Sequence, residues 1–301
     1  MKRTLLPLLL APVLAHAASN IDPAVGNSHA YGANIGWINA RGDGTNGAVV
    51  GEFTCSGFIY SANCGWINLG SGAPANGIRY LNNSATDFGV NTEQYFANGT
   101  ICEAKLRGFA YGANIGWVNF EAGGDPRVNL ATGKLLGYAY GANVGWIALA
   151  ETGVNVRTTT LAPGADTDAD TIPDNWELFF GGGIDLTKLT LTGDRDGDGI
   201  LDKDEYAADT NPFSPLDRLQ ITAFVAPRQI GGVGPVVSDL TWTSKPSRKY
   251  SIEISPDLIV PFVPAFTNIA PDNAATTFER FSDSTTAKKF YRIRAKLPLV
   301  P

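Results

Sequence analysis

A twelve-residue pattern occurs four times in the first half of the chain, as HAYGANIGWINA at 29–40, FIYSANCGWINL at 58–69, FAYGANIGWVNF at 109–120 and YAYGANVGWIAL at 138–149. The tryptophans Trp37, Trp66, Trp117 and Trp146 are spaced by 29, 51 and 29 residues, so the first pair of motifs recurs as a second pair 80 residues later. Such a repeat constrains the fold before any single residue does, because one unit cannot bury its own apolar face and must stack on its copies. Each copy sets aromatic and apolar residues on both sides of a small Gly/Ser-Ala-Asn turn, the pattern of a β-hairpin. With flanking stretches such as 48–54 and 133–137 as further strands, the four copies predict an all-β domain over residues 18–158, closed into a barrel or stacked as a sandwich.

The chain opens on Met1-Lys2-Arg3, an apolar run from Leu5 to Leu14, and Ala15-His16-Ala17, which together read as a secretory signal peptide over 1–17. No later stretch approaches the roughly 20 apolar residues of a membrane-spanning helix. The expected mature chain is secreted or held at the cell surface, without a transmembrane segment.

Beyond residue 17 there are 21 basic and 29 acidic residues, unevenly placed: the net charge is −2 over 18–158, −11 over 159–217 and +5 over 218–301. An acidic middle repels nucleic acid and attracts hard cations, so nucleic acid is not an expected partner. That middle, 159–217, is bounded by Thr158–Gly164 and Asn211–Pro215 and reads as a connector. Beyond it, apolar runs near 219–225, 240–244, 250–255 and 290–295 predict a small C-terminal β-sandwich over 218–301.

Within the connector, Asp166, Asp168, Asp170, Asp174 and Glu177 fall at positions 1, 3, 5, 9 and 12 of a twelve-residue frame. Asp194, Asp196, Asp198, Asp202 and Glu205 repeat that frame. Calcium takes six to eight oxygens in a flexible shell, and this spacing wraps a loop around the ion with a backbone carbonyl at position 7, here Ile172 and Ile200. Position 6 needs positive backbone angles; Gly199 suits it and Thr171 does not, so the second loop should bind more tightly. Two calcium ions are the expected cofactors, and carboxylates this close repel one another until a cation joins them.

The segment DRDGDGILDKDEY at 194–206 and the trailing DTNPFSP at 209–215 resemble thrombospondin type 3 repeats and related calcium loops of bacterial surface proteins. The resemblance covers about 50 residues and implies a short, calcium-rigidified connector between β-domains. The Gly-Trp repeats are similar to those of secreted bacterial proteins, and the C-terminal segment looks like a fibronectin-type accessory module; neither likeness brings an active site.

The repeat tyrosines and tryptophans are expected to fill equivalent core slots, with an exposed glycan-stacking platform as the alternative. Asn34, Asn63, Asn114 and Asn143 read as turn formers bonding their own backbone. Cys55, Cys64 and Cys102 allow one disulfide with a thiol left over, or three buried thiols. Past residue 17 the single histidine, His29, occupies a repeat position otherwise held by Phe or Tyr, which argues against histidine-dependent hydrolysis and zinc chemistry. Glu52, Asp87, Glu93, Glu103 and Glu121 could in principle supply a glycosidase pair, but nothing in the sequence singles one out. The sequence therefore predicts a non-enzymatic, calcium-binding structural or adhesion-type protein whose partner is an extracellular polysaccharide or a cell-surface protein. The rival readings are a carbohydrate-binding accessory module and a carboxylate-based glycoside hydrolase.

Overall fold

The computed structural model describes residues 18–181, 185–232, 234–284 and 288–299. The leader read over 1–17 lies outside the described residues. Each repeat forms one antiparallel hairpin: β1 (His29–Gly32) with β2 (Gly36–Asn39), β3 (Ser56–Ser61) with β4 (Gly65–Ser71), and, beyond β5 (Val90–Ala97), β6 (Cys102–Gly112) with β7 (Gly116–Asn119). After the short β8 (Arg127–Asn129) and β9 (Leu135–Leu136), the fourth hairpin pairs β10 (Tyr138–Gly141) with β11 (Gly145–Ala148).

These hairpins join edge to edge in chain order. β2 pairs β3, β4 pairs β6, β7 pairs β10 and β11 returns to β1, which closes an eight-stranded antiparallel barrel. Closure leaves no free edge among those eight strands. The all-β expectation holds, and the barrel is the form taken by the repeat region.

The hairpin turns lock the closure. In the first, the Ile35 amide donates to the Gly32 carbonyl at 3.1 Å, and Gly36 takes φ +72°. Each turn asparagine then reaches to the preceding hairpin rather than to its own backbone. Asn63 donates to the Ile35 carbonyl (3.0 Å), Asn114 to Cys64 (3.1 Å), Asn143 to Ile115 (3.0 Å), and Asn34 to Val144 (3.1 Å), completing a ring. This differs from the sequence expectation, because only the edge-to-edge pairing of neighbouring hairpins brings the carbonyl into range. Glycine at 36, 65, 116 and 145 suits the backbone, whose φ lies between +72° and +78°.

Alternation along each strand sends Ile38, Ile67, Val118 and Ile147 inward, and Ile35, Cys64, Ile115 and Val144 plug the end of the barrel that carries the turns. The interior is filled to a residual apolar void of about 40 Å³, so it is a core and not a lumen. The opposite alternation turns the repeat aromatics outward. Trp37, Trp66, Trp117 and Trp146 are 51, 40, 44 and 50% exposed, each beside the tyrosine directly across its hairpin at 4.9 Å between ring centroids. The expectation that they fill the core is thus corrected: those slots belong to the residues on either side of each aromatic. All three cysteines are buried and unbridged, Cys64 in the slot that Ile35, Ile115 and Val144 fill in the other repeats.

A two-stranded ribbon, β12 (Ala150–Glu151) and β13 (Val154–Asn155), leads out of the barrel. Two short helices follow in the acidic segment, α1 (Asp174–Gly181) and α2 (Asp202–Ala208), which the sequence reading did not include. Their first turns carry Asp174 and Glu177, and Asp202, Asp204 and Glu205, where negative charge favours the helix start. The remaining strands are β14 (Ile221–Gln229), β15 (Val236–Thr243), β16 (Lys249–Ser255), β17 (Val263–Ile269), β18 (Thr276–Ser282) and β19 (Phe290–Lys296). They make two sheets, β14-β15-β18 and β17-β16-β19, around Leu240, Trp242, Tyr250, Ile252 and Phe281. Among the described residues no helix is long and apolar enough to cross a membrane.

Candidate metal centre

The two acidic frames wind in the same way, each running from an irregular loop into a helix. At position 1, Asp166 accepts from the amides of Asp170 (3.1 Å) and Thr171 (2.9 Å), and Asp194 from those of Asp198 (3.1 Å) and Gly199 (3.0 Å). At position 5, Asp170 accepts from the Ile172 amide at 2.9 Å and Asp198 from the Ile200 amide at 2.8 Å. Positions 4 and 6 take left-handed angles in both loops: Ala169 and Thr171 at φ +62° and +76°, Gly197 and Gly199 at +77° and +92°. Thr171 therefore adopts the backbone that Gly199 adopts freely, at a strain of order 1–3 kcal/mol for a β-branched residue.

This winding gathers one carboxylate oxygen from each of Asp166, Asp168 and Asp170 to within 4.8 Å of one another, and likewise for Asp194, Asp196 and Asp198. The position-12 glutamate of each frame is carried on the first turn of its helix. Glu177 is 1% and Glu205 0% exposed. Both oxygens of Glu177, one of Glu205, and the Oδ2 atoms of Asp170, Asp196 and Asp198 are buried with no hydrogen-bond donor. The nearest cationic group to the last of these is the Arg218 guanidinium, 3.8 Å away and half in solvent.

A buried oxygen left without a donor costs on the order of 1–3 kcal/mol, more when charged, so these six oxygens are costly to hold without a partner. Burial first, then the adjacent aspartates, push Glu177 and Glu205 up to about 8. Burial also raises Asp170 above the ordinary aspartate range. The donor set is all oxygen, with up to five carboxylates per frame, which fits a hard divalent cation of calcium's class and not a nitrogen- or sulfur-seeking metal.

Positions 9 and 7 are placed differently from the trios. Asp174 accepts from the amide and the hydroxyl of Thr167, at 2.7 and 2.5 Å. Asp202, buried, accepts from the amides of Arg195 and Thr190, both at 2.9 Å. Both carboxylates thus tie position 9 back to position 2 and close the loop. Ile172 is fully buried with Trp176, Leu189 and Tyr206, so the first loop is nailed to a small core of its own at position 7; Ile200 is half-buried. Pro173, within the first frame, fits the helix start, its carbonyl accepting from the amides of Trp176 and Glu177 at 2.9 and 3.1 Å.

What adjoins the second frame is not visible in the linear pattern of residues. Tyr206, the residue after Glu205, donates its hydroxyl to Glu52 of the barrel at 2.9 Å. The other Glu52 oxygen pairs with Arg248 of the C-terminal sheets at 2.6 Å, and both side chains are buried. Arg248 also donates to the carbonyls of Tyr206 (2.7 Å) and Ala207 (3.1 Å). Asp209, just past α2, accepts from the Trp176 indole at 3.1 Å and from the Ser247 hydroxyl. Asn175 of α1 donates to the carbonyls of Gly77 and Ile78, both at 2.8 Å. The acidic segment is therefore a joint, bonded to the barrel on one side and the sandwich on the other. A spaced pair such as Glu52 and Arg248, 196 residues apart, leaves no local pattern.

Glu52 is thus committed to the joint, and the other loose carboxylates have structural partners as well. Asp87 accepts from the amides of Ala75 and Leu81, Glu93 pairs with Arg79, Glu103 with Lys105 and Arg127, and Glu121 accepts from the Gly108 amide. Comparison of the chain with protein-family models, with curated proteins and with solved structures returns no match.

Proposed function

We propose that the chain is a secreted or cell-surface structural and interaction protein, not an enzyme, in which two calcium ions lock a joint between the barrel and the C-terminal sandwich. The ligands in this reading are Asp166, Asp168, Asp170, Glu177 and the Ile172 carbonyl in one loop, and Asp194, Asp196, Asp198, Glu205 and the Ile200 carbonyl in the other. Asp174 and Asp202 hold the loops shut. The observation that carries the reading is the set of six buried carboxylate oxygens without a donor, distributed over positions 3, 5 and 12 of the frames. A bound divalent cation supplies the charge that those oxygens lack.

Tyr206 is covalently next to Glu205, so fixing position 12 also fixes the aromatic that bridges Glu52 and Arg248. The partner is an extracellular polysaccharide or a cell-surface protein, with nucleic acid disfavoured by the acidic middle. Limited proteolysis tests the lock: in chelator, cleavage should concentrate between residues 160 and 215, and millimolar calcium should suppress it. Equal cleavage rates with and without calcium would overturn the proposal.

A further inference from the structure

The 22 residues by which the central Trp spacing exceeds the outer two are part of the segment joining the second hairpin to the third, and that segment changes the surroundings of one exposed tryptophan. At Trp66 and Trp146 the covering backbone comes close, a Cβ built on Gly42 or Gly124 falling 2.8 and 3.0 Å from the indole. At Trp117 the cover is a side chain, Phe88, standing at 85° to the indole with 5.1 Å between centroids. Phe109 forms the floor of this corner at 6.2 Å from Trp117. The open side is edged by Asn82, Asn83 and Ser84, leaving a cleft of about 420 Å³, within the range of small-ligand sites.

The lining is specific in its chemistry. Among the described residues no charged group borders the cleft, so its lining is neutral. It presents aromatic walls at a right angle beside an amide-rich rim. Asn82 is occupied, its oxygen accepting from the Gly89 amide at 3.0 Å, whereas the exposed Asn83 carboxamide has no hydrogen-bond partner among the described residues. Neutral sugar rings have the matching surface, apolar C–H faces that pack on aromatics and hydroxyls at the edge that pair with an amide.

We propose that this cleft binds one sugar residue of a neutral polysaccharide, with Trp117 and Phe88 as the stacking walls and Asn83 as the hydrogen-bonding edge. The inference rests on the polysaccharide reading of the partner and is independent of the calcium lock.

The test is tryptophan fluorescence and calorimetry of the calcium-loaded protein with neutral oligosaccharides: cello-, xylo-, manno-, malto- and chito-hexaoses. Trp37, equally exposed in the first repeat but outside the cleft, is the control. Saturable binding that is weakened at least about tenfold by Trp117→Ala and about threefold to tenfold by Asn83→Ala, yet unchanged by Trp37→Ala, supports the site. Asn83 is exposed and unbonded, so its substitution reports on the cleft even if Trp117→Ala fails to fold. Binding that survives Asn83→Ala and Trp117→Ala but is lost in Trp37→Ala overturns the cleft while leaving the polysaccharide reading intact. Failure of every hexaose to bind overturns both.

Discussion

Calcium binding should expel protons, and the amount follows from the two buried glutamates. Glu177 and Glu205 are held at about 8 instead of the ordinary 4.5. At pH 7 each therefore carries about 0.9 of a proton in the metal-free chain, which must leave for the carboxylate to bind a cation. Calorimetric titration in buffers of different ionisation enthalpy should find close to one proton released per calcium at pH 7. The affinity of each site should climb about tenfold per pH unit between pH 5.5 and 7.5 and level off above about 8. Stability runs the other way without metal. A carboxyl whose folded pKa is raised is no burden below pH 4.5, and its destabilisation grows until the pH passes about 8. In chelator, amide protection over 166–205, corrected for the intrinsic rise of exchange with pH, should fall as pH rises through that window; in saturating calcium it should hold. Release of less than about half a proton per ion at pH 7, or amide protection in chelator that does not change with pH, would refute the reasoning.

Other consequences are as direct. Relieving the strain at position 6 by Thr171→Gly should tighten the first site by about 1–2 kcal/mol, roughly fivefold to thirtyfold, whereas Gly199→Ala, at φ +92° with open space around it, should weaken the second by a similar factor in the same titration. Arg248→Met leaves Glu52 buried and unpaired, and should cost about 3–5 kcal/mol in urea unfolding and loosen the joint to protease even in calcium. Removing one link of the turn ring by Asn114→Ala should cost about 1 kcal/mol of barrel stability, measured by thermal unfolding. Burial pushes the Cys55 thiol up to about 11, and all three thiols should react with a disulfide reagent only after denaturation.

The repeat hairpins and the two acidic frames were legible because each depends on contacts within a dozen residues. Alternation around GAN-type turns makes a hairpin wherever it occurs, and aspartates at positions 1 and 5 wind their loop through bonds to their own backbone. Helices α1 and α2 escaped notice because, at eight and seven residues, they are too short to show a clear 3.6-residue period, and they are held by burial of Trp176 and Tyr206.

By itself, then, the sequence determined the β character of the chain, the four hairpins, and the carboxylates that stand together in each loop. Only the tertiary structure decided which face of each hairpin is inside, since alternation distinguishes two faces but not which one the closed barrel buries; it put Ile38 in and Trp37 out. It also decided where Asn34, Asn63, Asn114 and Asn143 find their acceptors, and that Glu52, Tyr206 and Arg248 meet. Those partners lie between 28 and 196 residues apart, and nothing short of the closed fold brings them within bonding distance.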